Sequence, residues 1–277
     1  MTTRKKDPQE MSFLDHLEVL RWHLIRCTLA VVIIAIVAFI FIRRIFDGII
    51  LVFRDIDFVS YKVLCKLSRI VGSSKGCLEK VSFDFLNQEI AGQFSAAIWT
   101  SITTGFILGF PYILYEFWKF ISPGLYENER RHSRGFIIVS SLLFFTGIIF
   151  GYYVIAPLSV NFLTTFTIAD TIENKIRIGS YIALVRSSIL ASGFIFELPI
   201  IIYFLTKIGL VTPLFLRKNR KYALILVLVL AAIITPPEIS TQIIVAIPIL
   251  FLYEISIHIS RIVIKRENKR KKAQGIA

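Results

Sequence analysis

Long apolar runs separated by short polar segments recur along the 277-residue chain. Six runs stand out, at 24–42, 94–115, 135–156, 181–205, 222–235 and 242–259. The first four are long enough to cross a hydrocarbon core of about 30 Å at about 1.5 Å per residue. The fifth and sixth reach only about 21 and 27 Å. They are separated by "TPPEIS", whose paired prolines and polar residues make a turn. The pattern predicts a short helical hairpin that thins the bilayer locally or leans on its neighbours. Ahead of the first run, "MSFLDHLEVLRWHLIR" puts Phe13, Leu14, Leu17, Leu20 and Leu24 at helical spacing. That spacing predicts an amphipathic helix running directly into the first span.

Composition turns these runs into membrane spans. The chain is 55% hydrophobic with a mean hydropathy of +0.70, outside the range of a soluble domain of this size. It reads as one all-α integral membrane domain over 1–260, followed by a basic cytoplasmic tail over 261–277. The net charge of +13 does not indicate nucleic acid, because the basic residues sit in short segments between spans. That placement fits membrane topology and contact with anionic lipid. Five Lys and Arg precede residue 27, three lie in 121–134, five in 207–221 and seven from Arg261 onward. With six spans, all four groups fall on one side, which makes both termini cytoplasmic. The opposite side carries eight in 43–93, offset there by six acids, and two in 157–180. The N-terminus lacks a small-residue cleavage site, so no removable signal peptide is expected. Trp22, Trp99, Trp118, Tyr152, Tyr153, Tyr181 and Tyr222 fall near span ends and are expected as interfacial anchors.

Catalytic and metal-binding patterns are missing from the sequence: no metal-ligand spacing, nucleophile elbow, phosphate loop or dinucleotide fingerprint is present. Neither an enzyme nor a cofactor is expected. The informative groups are polar residues attached to the spans. Glu18 and Arg21 are helical neighbours, readable as a weak interfacial ion pair. "WKFISPGLYENERRHSR" sets Glu127 and Glu129 ahead of Arg130 and Arg131. It reads either as a polar cap or as a shaped loop offering carboxylates to a basic ligand. Glu197 sits in "GFIFELPIIIYFL", where a mid-bilayer charge costs roughly 2.5–3.5 kcal/mol on insertion scales. Such acids face protein or a water-filled cavity and tend to be functional. Pro199 should kink the helix there. Cys27 is expected as inert packing. Cys65 and Cys77, twelve positions apart in the long loop, read either as a disulfide on an oxidising face or as two free thiols.

Taken in order, "FLDHLEVLR", "FPYILYEFWKFISPGLYENERR", "FELP", "LRKNRKY" and "TPPEISTQIIVAIPILFLYEI" resemble the TatC family, the multi-spanning receptor of the twin-arginine translocation pathway. The motifs cover most of the chain. The resemblance implies six transmembrane helices in a concave, glove-like arrangement with two short last helices. It also implies the roles of particular residues. Glu129 matches the cytoplasmic-loop acid that recognises the arginine pair of a signal peptide, and Phe120 a neighbouring functional aromatic. Arg21 matches an N-terminal arginine, Glu197 the acid of the concave face, and Gln242 a polar residue opening the last helix. One position departs from the pattern: the family's glutamate before "LR" is Val19 here, with Glu18 one place earlier. A shift of one residue rotates a helical side chain by about 100°. Either Glu18 reaches from a rotated helix, or Glu129 with Glu127 takes more of the binding.

The implied function is reception of twin-arginine signal peptides and export of folded proteins across the bacterial cytoplasmic (inner) membrane, driven by the proton-motive force. The implied partners are TatA- and TatB-type single-span proteins, signal peptides and further copies of the chain in a receptor complex. A different class of function, a small-solute secondary transporter with Glu197 as proton relay, is the alternative on residues alone; such folds often carry internal repeats. A scaffold that only organises neighbouring spans is a third possibility.

Overall fold

The first apolar run and the amphipathic segment ahead of it form one helix, α1, Phe13–Ile40. Its β-branched residues are tolerated as helix because, in hydrocarbon, only a helix satisfies every backbone group within the segment. A computed structural model describes residues 13–55, 57–70, 84–121, 133–169, 174–235 and 239–273. The other long helices follow the predicted runs. They are α3, Gly92–Ile121; α4, Ser133–Phe150, which continues through a π-turn at Gly151–Ile155 into α5, Ala156–Thr165; and α6, Ile178–Phe196, followed by α7, Leu198–Lys207. A short α8, Pro213–Lys218, leads to α9, Arg220–Ile234, and α10, Ile239–Ala273. Among the described residues, five helical stretches are long and apolar enough to cross a membrane; α9 carries the fifth apolar run in 15 residues.

Only α9 of the final pair is short. The last apolar stretch ends near residue 259, yet α10 continues to Ala273 and extends about 52 Å. "RIVIKRENKRKKA" is rich in Lys, Arg and Glu, which favour helix, and holds no Gly or Pro to stop it. The boundary drawn at 260/261 from composition therefore falls inside a continuous helix.

Two compact units make up the chain: Met1–Ile49 with Ala91–Leu142, and Ile50–Ile90 with Leu143–Ala277. In the first, α1 and α3 pack antiparallel. Phe39 meets Phe94 at one end, and Gly105 faces Val31 and Ala35 midway. A Cβ at Gly105 would stand 2.6 Å from the Val31 carbonyl oxygen, so the two backbones are in near contact. Small residues permit this approach in membranes, where packing rather than water drives helix association. Trp118, expected at the interface, is instead buried and lies 4.7 Å from Phe136.

In the second unit, the end of α4 and the π-turn that follows it meet α6 at Gly147 and Gly151, where an added Cβ would come within 3 Å of Ser192 and Ile189. As Pro199 predicts, one long span breaks here: α6 stops at Phe196, the Glu197 N–H bonds back to Phe194 O, and α7 begins at Leu198. The α9–α10 hairpin closes over Ile155, with Val227, Ala231, Val245, Ala246 and Ile249. Thr206 Oγ1 donates to Ser260 Oγ at 2.9 Å, tying α7 to α10.

The long loop contains order that hydropathy does not reveal. Helix α2, Val59–Ile70, precedes strand β1, Asp84–Leu86, which pairs in parallel with β2, Lys175–Arg177. Arg177 pairs with Glu89 beside this ribbon. Tyr61 donates to the carbonyls of Phe53 and Pro157 and stacks into a cluster with Phe53, Phe58 and Tyr152. Burial pushes its phenol well above the usual range. Tyr181, another expected anchor, is buried and donates to Ile50 O at 2.5 Å. Cys27 is free, while Cys65 is disulfide-bonded; Cys77 lies outside the described residues.

Candidate functional site

One end of the α1–α3 pair gathers most of the chemistry. Glu18 and Arg21 stand one turn apart on α1, 4.0 Å from each other and about two-thirds exposed. Arg21 also lies over the Trp22 ring at 5.7 Å. An exposed pair of this kind is worth about 0–1 kcal/mol to the fold, which leaves both side chains open to a ligand. Phe120 sits on the last turn of α3, half-buried, with its ring edge-to-face with His23 at 6.0 Å. The segment that carries Glu127 and Glu129 follows α3 in the chain, and both residues lie outside the described residues.

Sequence reasoning missed the group beneath Phe120. Glu116, 3% exposed, accepts a hydrogen bond from His23 Nδ1 at 2.5 Å and one from the Tyr112 hydroxyl at 3.1 Å. Arg26 Nη1 is 3.9 Å from the same carboxylate. The physical requirement is plain: a buried carboxylate must be paired and hydrogen-bonded, and removing one partner of such a pair costs about 3–5 kcal/mol. A signal was present in the sequence. Glu116 and Tyr112 are i, i+4 neighbours, and antiparallel spans bring the start of α1 level with the end of α3.

Glu197 and Gln242 belong to the second unit. Glu197 is buried at the α6–α7 break, 7% exposed, so it faces protein; it is less accessible than an acid in an open, wet hollow. Gln242 Nε2 donates to Leu228 O at 3.0 Å, joining α9 to α10. Among the described residues, no group of three or more His, Cys, Asp or Glu is placed to hold a metal ion.

Long apolar helices, glycine-mediated packing and polar groups concentrated at one helix-pair end define a polytopic α-helical membrane protein. The chain belongs to the TatC family: the family model described as "Sec-independent protein translocase protein (TatC)" matches residues 15–248. A Sec-independent protein translocase protein TatC of Blattabacterium sp. subsp. Periplaneta americana is 42% identical over 95% of this chain and 100% of its own length. The TatC of Desulforapulum autotrophicum is 35% identical over 95% of this chain and 89% of its own. Among solved structures, a crystal structure of the twin arginine translocase receptor TatC aligns with a TM-score of 0.65 at 32% identity, over 90% of this chain and 99% of that one. The protein is thus a membrane component of a Sec-independent translocase, in a transport rather than a catalytic role. Neither comparison nor structure gives support to the small-solute alternative.

Proposed function

We propose that this chain is the receptor subunit of a twin-arginine translocase. It binds the paired arginines of a precursor's signal peptide with Glu129 as principal acid, assisted by Glu127 and by Glu18, Arg21 and Phe120 at the end of the α1–α3 pair. The likeness over nearly the whole chain to a solved twin arginine translocase receptor carries this reading. The exposure of Glu18 and Arg21, on the helix whose His23 meets the Phe120 ring, supports it. The chemistry is suitable, since carboxylate–guanidinium bonds are charge-assisted and directional.

The same reading sets the chain in the bacterial inner membrane with both termini cytoplasmic, where the Lys- and Arg-rich segments meet anionic lipid. Copies of the chain assemble in a receptor complex with TatA- and TatB-type single-span proteins, and the proton-motive force drives export of folded precursors. Glu197 is the intramembrane acceptor for a polar residue on a partner helix, a bond worth about 0.6–2 kcal/mol in membranes. Gln242 lies on the same hairpin-bearing unit and serves the same partners.

Copurification tests these assignments together. A precursor with an Arg-Arg signal should be recovered with the wild-type chain, and the same precursor with Lys-Lys should not. Glu129→Ala should lose the precursor at unchanged protein level, while Glu197→Ala should keep it and recover less of the TatA- and TatB-type proteins. Equal recovery of the Arg-Arg precursor by Glu129→Ala would sink the assignment of the principal acid. Equal recovery of partners by Glu197→Ala would return that acid to a purely internal role.

A further inference from the structure

The carboxylate of Glu116 is already engaged from three directions, by His23, Tyr112 and Arg26, and is buried. It is therefore poorly placed to grip an incoming arginine itself. Its effect passes through the imidazole. His23, 9% exposed, bonds Glu116 through Nδ1 and meets the Phe120 ring edge-to-face at 6.0 Å. Glu116 and Phe120 are i, i+4 on α3, so a single side chain of α1 holds two successive turns of its neighbour. A contact with two points of attachment fixes rotation as well as distance. Glu18 and Arg21 lie on the same helix within five residues of His23, and a slip of one residue would swing them by about 100°.

We propose that His23, anchored by Glu116, is a positioning residue of the recognition surface: it orients Phe120 and sets the rotation of α1 that aims Glu18 and Arg21. This inference rests on the signal-peptide reading and adds two residues that touch no ligand. The pair is specific in its demands. An acid without its imidazole leaves a buried carboxylate short of a donor, and an imidazole without its acid loses the bond that fixes its ring against Phe120.

The test uses the full chain, purified in detergent, with 4-fluorophenylalanine in place of Phe120 and a fluorescent peptide bearing an Arg-Arg signal. His23→Ala and Glu116→Ala should each weaken binding about tenfold or more, and each should move the fluorine resonance. The reciprocal double variant, His23→Glu with Glu116→His, should restore both affinity and resonance towards wild type. A role confined to stability would lower the unfolding temperature but leave the affinity and resonance of the folded fraction unmoved. That result, or a double variant no better than the singles, overturns the proposal. Should His23→Ala not fold, His23→Gln and the reciprocal swap decide on the same two readouts. If wild type binds an Arg-Arg peptide no better than a Lys-Lys peptide, the receptor reading fails; the fluorine resonance then still judges whether His23 and Glu116 orient Phe120.

Discussion

Val19 occupies the position where the family resemblance leads one to expect a glutamate, and the adjacent acid, Glu18, is exposed and paired loosely with Arg21 at 4.0 Å. A weak surface pair holds neither partner firmly, and Glu18 points about 100° away from the direction of residue 19. Glu18→Gln should therefore weaken binding of an Arg-Arg peptide less than Glu129→Gln does, and Val19→Glu should leave it equal or tighter. Peptide titration of the three variants checks this, and a Glu18→Gln defect as large as that of Glu129→Gln would contradict it. At this scale the sequence shows residue types and their spacing along one helix. It offered Phe120, Glu18 and Arg21 as candidates because the motifs that carry the family resemblance are contiguous. The His23–Glu116 bond was missed, because its partners are 93 positions apart and the general level of α1 against α3 does not give the register that joins them.

Helix pairing depends on Gly105 in the first unit. Its missing side chain leaves room for the Val31 carbonyl oxygen, 2.6 Å from where a Cβ would stand, and for Ala35 at 3.0 Å. Backbone cannot yield as a flexible side chain does, so Gly105→Leu must drive α1 and α3 apart. Overpacking of this kind costs about 1–3 kcal/mol or more. Gly135, in the first turn of α4, has nothing within 4 Å of the place a Cβ would take and serves as a control. Gly135→Ala should raise stability by about 0.4–1 kcal/mol. Thermal unfolding in detergent should separate the two; a Gly105→Leu protein as stable as wild type would refute the close approach. Hydropathy and Pro199 made the long helices and the break at Glu197 legible. The β1–β2 ribbon was not, since three-residue strands carry no period and their pairing joins residues about ninety positions apart; α2 was passed over because its apolar residues alternate with polar ones instead of forming a continuous run. The length of α10 was missed for another reason: the end of an apolar run marks the end of burial in lipid, while helix propensity continues through the charged tail.

For the whole molecule, composition and spacing were enough to specify an all-α membrane protein, and the family match over 15–248 agrees with the motifs that carried the resemblance. Burial was harder to read. Trp118 and Tyr181 lie at span ends where interfacial anchoring is the general rule, yet tertiary packing covers both. The central claim is that this chain receives twin-arginine precursors for export in folded form. It is tested most directly in cells where this chain is the sole TatC-family protein, with a tightly folded reporter behind an Arg-Arg signal. The account predicts export of the folded reporter, loss of export with a Lys-Lys signal, with Glu129→Ala or on collapse of the proton-motive force, and no export in the absence of the chain. Equal export of the Arg-Arg and Lys-Lys reporters, or export that persists without the chain, would contradict it.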